Sequence, residues 1–213
     1  MKVFVTGVNG QLGHDVMNEL AKRGYEGVGS DLAPEYSGVE DGSAVTKMPY
    51  VSLDITDADA VDKVITEVNP EVIVHCAAWT AVDMAEDDDK VEAVRMVNVG
   101  GTQNIANVAK KLDVPMVYLS TDYVFDGQGT KPWEPDFKGY KPLNVYGETK
   151  LGGEKAVADT LDKYFIVRIA WVFGVNGHNF IKTMLKVGSN HDEVKVVDDQ
   201  IGCPTWTVEL ANG

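Results

Sequence analysis

An alternation of short apolar runs with longer helical segments constrains the fold of this chain more than any other feature. The first run, Lys2–Thr6, is rich in β-branched residues. Five more runs follow along the chain, at 25–30, 50–54, 71–78, 114–120 and 164–170. Strands this apolar are buried on both faces, and strands that alternate with helices form parallel βαβ units. The pattern therefore predicts an α/β fold with a doubly wound parallel sheet.

Helical periodicity and turn residues place the segments between the strands. Helices are predicted at 11–24, 57–69 and 87–112, with another beginning near Tyr146. A last helix is predicted to begin at Thr207. The polar, turn-rich segment after the second strand and the long segment after the fifth strand are predicted to be loops.

The net charge limits the kinds of molecule that this protein can bind, and the cysteine content indicates its redox environment. The formal net charge of −14 argues against nucleic acid or an anionic membrane, because phosphate-rich partners require clustered Lys and Arg. No stretch approaches the roughly 20 apolar residues that a membrane span needs, and the N-terminus shows no signal-peptide pattern. The two cysteines, Cys76 and Cys203, have no metal-ligand spacing. We therefore expect a cytoplasmic protein with reduced thiols.

A glycine-rich turn connects the first strand to the first helix. The stretch TGVNGQLG places Gly7, Gly10 and Gly13 there. The turn needs backbone freedom and a bound pyrophosphate needs side chains out of the way, while the helix N-terminus offers unpaired N–H groups. The spacing is G-x-x-G-x-x-G, whereas the standard dinucleotide fingerprint is G-x-G-x-x-G. Its position still predicts an NAD(P)-binding, Rossmann-like fold, with a tight turn that binds no ligand as the alternative.

Further cofactor contacts are predicted where strands end, because ligands of open α/β sheets bind beyond the carboxyl ends of the strands. Asp31 ends the second strand, where a carboxylate can bind the ribose 2′-OH and repel a 2′-phosphate. This favours NADH over NADPH, with an ordinary turn aspartate as the alternative. Asp54 and Ile55 end the third strand and are predicted to border the adenine. After the fourth strand, the cofactor is predicted to pass Ala77, Ala78, Trp79 and Thr80.

A tyrosine and a lysine share one predicted helix face in the stretch PLNVYGETKLGGE. Tyr146 and Lys150 are spaced i and i+4, so Lys150 is predicted to lie beside the Tyr146 ring. An ammonium group there stabilises the phenolate and lowers the pKa of Tyr146, which would make this residue a general acid or base for a carbonyl–alcohol pair. Lys150 is also placed to bond a nicotinamide ribose. A solvated helix face is the alternative.

Hydroxyl groups at the end of the fifth strand strengthen this interpretation. The stretch LSTDYVFDG ends that strand with Ser120, Thr121 and Asp122. A hydroxyl there can donate to the same carbonyl oxygen and stabilise the developing alkoxide. Together with the upstream glycine turn, the stretch predicts an oxidoreductase site.

Eight stretches carry a resemblance to a known family: TGVNGQLG, LDITD, AAWTAVDMAE, VNVGGTQNIA, STDYVFDG, PLNVYGETKLGGE, RIAWVFG and VVDDQIGCPTW. They cover nearly the whole chain. They resemble the extended short-chain dehydrogenase/reductase superfamily and, within it, the dTDP-4-dehydrorhamnose reductase family. The resemblance implies that NADH or NADPH reduces the 4-keto group of dTDP-4-dehydro-6-deoxy-L-mannose to give dTDP-L-rhamnose. This reaction belongs to deoxysugar and cell-surface polysaccharide biosynthesis.

The resemblance also implies roles for individual residues. Thr121, Tyr146 and Lys150 correspond to the family's catalytic triad, in which the tyrosine supplies the proton. Asp122 and Trp171 correspond to positions beside the sugar nucleotide, with a core aromatic as the alternative for Trp171. The positions that match the family's dinucleotide contacts are Gly10, Gln11, Leu12, Asp31, Asp54, Ile55, Ala78, Trp79 and Thr80.

The domain organisation is an expectation from the same resemblance. We expect an NAD(P)-binding Rossmann domain over 1–175. Residues 176–213 are expected to begin a small substrate-binding lobe that is interleaved with the last strands and mostly missing from this chain. A homodimer and a Mg²⁺ site are left open, and no metal ligand is assigned. His75 departs from the family's usual sequence and is predicted to be packed and hydrogen-bonded, not catalytic.

Two other classes of protein stay open. One is a non-catalytic regulatory subunit that resembles the methionine adenosyltransferase β subunit, and co-purification with a synthetase would indicate it. The other is a different nucleotide-sugar enzyme on the same scaffold, such as an epimerase. An epimerase holds its NAD⁺ tightly, whereas a reductase exchanges its cofactor at each turnover.

Overall fold

The computed structural model describes all 213 residues. Its main sheet consists of β1 (Lys2–Thr6), β2 (Glu26–Asp31), β3 (Tyr50–Ser52), β4 (Val72–His75), β5 (Met116–Thr121) and β6 (Tyr164–Ile169). All neighbouring strands are parallel, in the order β3-β2-β1-β4-β5-β6. This is the strand order of dinucleotide-binding sheets, and the connections switch direction between β1 and β4. The predicted doubly wound, Rossmann-like fold is confirmed.

Seven α-helices accompany the strands. They are α1 (Gln11–Lys22), α2 (Ala58–Val68), α3 (Val91–Arg95), α4 (Thr102–Leu112), α5 (Val145–Thr160), α6 (Phe180–Gly188) and α7 (Thr207–Asn212). A second sheet pairs β7 (Val172–Phe173) with β8 (Thr205–Trp206). None of the helices combines the length and the apolar composition that crossing a membrane requires.

The hydrophobic core covers both faces of the main sheet, as a parallel sheet requires. Along β1, Phe4 packs into a cluster that includes side chains of α2 and α4. Its neighbours Val3 and Val5 pack on the opposite face, together with Met17 of α1. All four side chains are at most 2% exposed. Burial on both faces explains why consecutive positions of this strand are apolar.

The helix predicted over 87–112 is interrupted in the structure. Regular α-helix begins only at Val91, and a π-helical stretch over Met96–Gly101 separates α3 from α4. Single-turn π-helical insertions are frequent at functional sites. The spacing of apolar residues along the sequence does not predict a π-helical insertion, because contacts outside the helix hold the extra residue of the turn.

Two strands are shorter than the sequence predicts. The strands expected over 50–54 and 71–78 end at Ser52 and His75. The residues that follow leave the sheet and line a cleft instead.

The segment after β7 packs back onto the main domain. Asn176 is 2% exposed, and α7 begins at Thr207, as predicted, and lies against α1. The Thr207 hydroxyl donates to the Asp15 carboxylate of α1. The predicted division between 1–175 and 176–213 stays a prediction.

Candidate active site

A cleft of about 890 Å³ opens at the carboxyl ends of the main-sheet strands. It includes the crevice between β1 and β4, where ligands of open α/β sheets bind. All the residues that the sequence predicted for the site line this one cleft. They are Gly7, Gly10, Gln11, Leu12, Gly13, Asp31, Asp54, Ile55, Ala77, Ala78, Trp79, Thr80, Thr121, Asp122, Tyr146, Lys150 and Trp171.

The glycine turn forms an open cradle at one end of the cleft. Gly7 has φ +74°, and a Cβ there would lie 2.6 Å from the backbone N of Ala77. A Cβ on Gly13 would lie 2.3 Å from the backbone O of Gly7. Gly10 caps α1 without a side chain, and the N–H groups of Gln11, Leu12 and Gly13 make no hydrogen bond within the chain. The turn therefore offers space and free donors that fit a pyrophosphate.

Asp31 stands beside this cradle and is tied to it. Its Oδ2 accepts a hydrogen bond from the backbone N–H of Asn9 (2.9 Å), and its Oδ1 accepts one from Leu32 (2.8 Å). The carboxylate thus braces the glycine turn from a neighbouring strand while it lines the cleft.

Two asparagines that the sequence analysis missed brace the same turn. Asn176 Nδ2 donates to the backbone oxygens of Asn9 (2.8 Å) and Gly10 (3.0 Å). Asn179 Nδ2 donates to Gln11 Oε1 (2.9 Å). These partners lie 166 to 168 residues apart in the sequence, so no local pattern could have found them.

The π-helical stretch supplies a third missed residue, Asn98. This side chain is 1% exposed. Its Oδ1 accepts from the backbone N–H of Trp79 (2.8 Å), and its Nδ2 donates to Trp79 O (3.2 Å) and to Thr149 Oγ1 (3.0 Å). Asn98 therefore fixes the predicted cofactor-crossing segment against α5. The sequence signal was a pair of glycines, Gly100 and Gly101, inside a predicted helix, because glycine is a poor helix former.

Asp54 and Ile55 lie at the far edge of the cleft, after β3. Asp54 Oδ1 accepts hydrogen bonds from the backbone N–H (2.9 Å) and hydroxyl (2.7 Å) of Thr56. Ile55 is 8% exposed and packs against Gly101. Their contact with an adenine ring stays a prediction.

The predicted hydroxyl and phenol meet at the centre of the cleft. Thr121 ends β5, and its Oγ1 donates to Asp122 Oδ1 (3.1 Å) and accepts from the backbone N–H of Tyr123 (3.2 Å). Tyr146 lies in the first turn of α5, which Asn144 caps by accepting from Gly147 N–H. The rings of Tyr146 and Tyr123 meet edge to face at 5.7 Å. Tyr123 is a cleft residue that the sequence analysis did not select.

Burial keeps the phenol of Tyr146 neutral. Burial, the Thr121 hydroxyl, which acts in the opposite direction, and the nearby Asp122 and Tyr123 together raise the pKa of Tyr146 to about 12. The sequence predicted the opposite shift, through Lys150, and that prediction is wrong for this structure. The phenol is taken out of water, which disfavours the phenolate, and the Lys150 ammonium does not offset this cost. Tyr146 therefore carries its proton at neutral pH.

Lys150 is engaged with the strand beneath it. Its Nζ donates to the backbone oxygen of Leu119 (2.6 Å) and lies 4.2 Å from the centroid of the Tyr118 ring. Burial lowers the pKa of Lys150 to about 7, while Cys76 and Glu154 act in the opposite direction. The amine therefore changes its charge close to neutral pH.

Trp171 is held in an unusual backbone conformation where it lines the cleft. It has φ +48°, a left-handed value that is rare for a bulky residue. Its side chain is 50% exposed and packs against Gly202, where a Cβ would lie 2.6 Å from the ring. The alternative of a core aromatic is therefore wrong. The chain turns at this residue from β6 into the second sheet.

His75 is a buried structural residue, as predicted. The Thr102 hydroxyl donates to Asn98 O (2.7 Å), so Thr102 accepts from His75 Nε2 (3.1 Å). Thr6 Oγ1 accepts from the Ala77 N–H (3.1 Å) and donates to His75 Nδ1 (2.7 Å). Burial and the nearby Lys150 charge lower the pKa of His75 to about 3, so the ring stays neutral.

Residues 1–213 match the RmlD substrate binding domain family. The chain belongs to this family. It is 40% identical over 210 residues to a dTDP-4-dehydrorhamnose reductase of Streptomyces griseus, covering 98% of this chain and 62% of that protein. It is 41% identical to a dTDP-4-keto-6-deoxy-D-glucose reductase of Streptomyces niveus, covering 98% of this chain and 65% of that protein. The chain thus spans less than two thirds of the length of these relatives.

Two solved structures extend the comparison to the fold of this RmlD-family chain. A dTDP-4-dehydrorhamnose reductase of Clostridium acetobutylicum has a TM-score of 0.85 and 40% identity, covering 100% of this chain and 68% of that one. The same enzyme of Bacillus anthracis, solved in complex with NADP, has a TM-score of 0.82 and 35% identity, covering 99% and 68%. The family's fold therefore extends over the whole of this chain.

Proposed function

We propose that this chain is part of an NAD(P)H-dependent reductase, which converts dTDP-4-dehydro-6-deoxy-L-mannose into dTDP-L-rhamnose. The observation that carries the proposal is the single cleft that holds Thr121, Tyr146 and Lys150 together with the glycine cradle. The names of the relatives from Streptomyces griseus and Escherichia coli support it. A Bacillus subtilis relative named as a spore coat polysaccharide biosynthesis protein supports a role in polysaccharide synthesis.

The cofactor end of the cleft suits a nicotinamide dinucleotide, which supplies the hydride when it is bound. The free N–H groups at the start of α1 bind the diphosphate, and Gly7 and Gly13 keep side chains away from it. The Asp31 carboxylate binds the adenosine ribose. We keep NADH as the favoured donor on the basis of this carboxylate. The complex of the Bacillus anthracis relative with NADP supports a nicotinamide cofactor without favouring NADH.

The residues around the carbonyl perform the proton chemistry. Tyr146 carries its proton at neutral pH and donates it to the carbonyl oxygen as the alcohol forms. The Thr121 hydroxyl, which donates to Asp122 Oδ1 in this structure, turns to donate a second hydrogen bond to that oxygen and stabilises its developing charge. Lys150 binds the nicotinamide ribose, and its ammonium form favours proton release from Tyr146. Asp122 and Trp171 border the sugar.

The first experiment follows the absorbance of the reduced nicotinamide, with the keto sugar generated in the cuvette and NADH or NADPH as donor. We expect oxidation that requires the sugar. Tyr146→Phe should bind the cofactor nearly as well and turn over about 10²–10⁴-fold more slowly, because only the proton donor is lost. Cofactor binding without oxidation in the unsubstituted protein would instead favour a regulatory subunit. Unchanged turnover of the variant would remove Tyr146 from the mechanism.

A second substrate of the same chemical class is supported by the relative from Streptomyces niveus. That protein is named a dTDP-4-keto-6-deoxy-D-glucose reductase and is 41% identical to this chain. The same hydride and proton transfers would reduce either sugar, which differ in stereochemistry. Parallel assays with both keto sugars, with the products separated by chromatography, distinguish the two substrates.

The homodimer and the Mg²⁺ site, which the sequence analysis left open, stay open. No group of three or more His, Cys, Asp or Glu side chains is arranged to hold a metal ion in this structure. The relatives' names state neither an oligomeric state nor a metal. Sedimentation of the protein with and without Mg²⁺ would test both.

A further inference from the structure

The inner face of α5 carries a third ionisable residue beyond Tyr146 and Lys150. Glu154 continues their row at the same i, i+4 spacing and is 4% exposed. A buried carboxylate is costly unless its charge is paired and its oxygens are hydrogen-bonded. The partners of Glu154 therefore indicate what its charge does.

Both carboxylate oxygens of Glu154 are bound. Arg168 of β6 donates from Nε to Oε1 (2.8 Å) and from Nη2 to Oε2 (2.7 Å), a bidentate contact of the strong type. Ser120 Oγ donates to Oε1 as well (2.6 Å). Ser120 directly precedes Thr121, so Glu154 holds the end of β5 that carries the proposed catalytic hydroxyl.

Arg168 extends the connection to the long loop after β5. Its Nη2 donates to the Tyr140 hydroxyl (2.9 Å) and its Nη1 to the Pro135 backbone oxygen (3.3 Å). Its guanidinium carbon lies 5.3 Å from the centroid of the Phe125 ring. The Glu154–Arg168 pair therefore joins β5, α5, β6 and this loop beneath the cleft.

We propose that Glu154 is a positioning residue for the reduction proposed above: paired with Arg168, it holds Ser120 at the end of β5, and its negative charge favours the ammonium form of Lys150. The role in catalysis rests on that proposed function. The effect of the Glu154 charge on Lys150 is a property of the protein and can be measured without a substrate.

Among the titratable groups around Lys150, Glu154 is the one that is negatively charged near neutral pH. Burial lowers the pKa of Lys150, and the two groups that oppose this are Cys76 and Glu154. Burial raises the pKa of Cys76 to about 12, so its thiol is neutral near pH 7. The other titratable groups around Lys150 are also neutral there: His75, Tyr118 and Tyr146.

Substituting Glu154 and substituting Arg168 should shift the pKa of Lys150 in opposite directions. Glu154→Gln removes the anion and leaves the Arg168 cation unbalanced, so Lys150 should lose its proton at lower pH. Arg168→Gln leaves the Glu154 anion unbalanced, so Lys150 should keep its proton to higher pH. Both variants damage the same buried contact, and structural damage alone would not separate them by sign.

The test is an NMR titration of the substrate-free protein labelled on its lysine side chains, with the Lys150 signal assigned by its loss in Lys150→Arg. We expect the midpoint to fall by about one pH unit in Glu154→Gln and to rise by a similar amount in Arg168→Gln. Asp113→Asn, which breaks an exposed ion pair with Lys163, is the matched control and should leave the midpoint unchanged.

Shifts in one common direction, or no shift, would overturn the proposal. If the single variants do not fold, the double variant Glu154→Gln/Arg168→Gln leaves no unpaired buried charge. Its midpoint should still fall, by less than one pH unit, because Glu154 shares α5 with Lys150 and acts on its charge, whereas Arg168 lies on β6. A midpoint equal to that of the unsubstituted protein would overturn the proposal. The alkaline limb of kcat/KM should move with the midpoint. Failure of the reductase assay would overturn the proposed function alone.

Discussion

At the scale of single residues, burial sets the chemistry of the site. Tyr146 and Lys150 were predicted to share a helix face, and they do, but their environments act on each separately. Removal from water favours the neutral form of both groups. Tyr146 is therefore prepared to donate a proton, and Lys150 titrates near neutral pH.

Lys150→Met should raise the free energy of unfolding, and the gain should depend on pH. The folded-state pKa of Lys150 is about 7, below its ordinary value of 10.5, so the unfolded chain binds more protons between these values. The cost of burying Lys150 is therefore full below about pH 7 and fades toward pH 10.5. We expect a gain on the order of a few kcal/mol at low pH that shrinks as pH rises.

Urea unfolding across this pH range measures the effect. Lys155→Met, on the exposed side of the same helix, is the matched control and should show no such trend. If Lys150→Met raises the free energy of unfolding equally at all pH values, the removal of a buried charge is not the cause of the gain.

Asp31→Ala should weaken NADH binding more than NADPH binding, because the carboxylate is proposed to bind the ribose 2′-OH and to repel a 2′-phosphate. Titration of each cofactor against the unsubstituted protein and the variant gives the two affinity ratios. Since Asp31 also braces Asn9, both affinities should fall somewhat. An unchanged preference between the two cofactors would show that Asp31 supports only the turn.

At the scale of elements, close backbone approach explains the glycine turn better than flexibility does. The first and third glycines sit where a Cβ would meet backbone atoms that cannot move aside. The π-helical stretch plays a similar part on the opposite side of the cleft, because it lets Asn98 reach Trp79. The glycine turn and the π-helical stretch therefore both depart from regular structure where they line the cleft.

Gly13→Ala should lower the free energy of unfolding by about 1–3 kcal/mol and weaken cofactor binding, because its Cβ would collide with Gly7 O. Gly100→Ala is the matched control, since a Cβ there has open space around it. It should be neutral or stabilising by up to about 1 kcal/mol. Equal losses in both variants, measured by urea unfolding, would mean that the close approach at Gly13 is not what requires glycine.

At the scale of the whole molecule, the segment after β7 completes the cofactor end of the cleft. Asn176 binds the glycine turn from the far end of the sequence, and α7 packs on the helix that follows this turn. The folding of residues 174–213 is therefore coupled to the shape of the glycine turn, where the dinucleotide is proposed to bind.

Asn176→Ala should weaken cofactor binding about tenfold, because the variant loses a buried side chain that donates two hydrogen bonds to the glycine turn and accepts one from Val39 in the loop after β2. Isothermal titration with NADH and NADPH measures this loss. Asn190→Ala, an exposed asparagine after α6, is the control. Unchanged affinity in Asn176→Ala would separate the segment after β7 from cofactor binding.

The doubly wound parallel sheet, the glycine turn and seventeen of the residues that line the cleft could be predicted from the sequence. The physical reason is that these features are local. Parallel strands buried on both faces must be apolar, turns with close backbone contacts need glycine, and strand ends in an open sheet meet at one edge. Most of the seventeen predicted residues that line the cleft follow from these features, whereas Gln11, Leu12 and Trp171 were predicted from the family resemblance.

Only the tertiary structure decided the protonation of Tyr146 and Lys150, the braces at Asn98 and Asn176, and the Glu154–Arg168 pair. Each depends on how far a group is removed from water and on partners that are distant in the chain, such as Asn176 and Asn9, 167 residues apart. The spacing of residues in the sequence indicates neither how deeply a group is buried nor which distant residue it contacts. Burial and long-range contact exist only once the sheet and its helices have packed together.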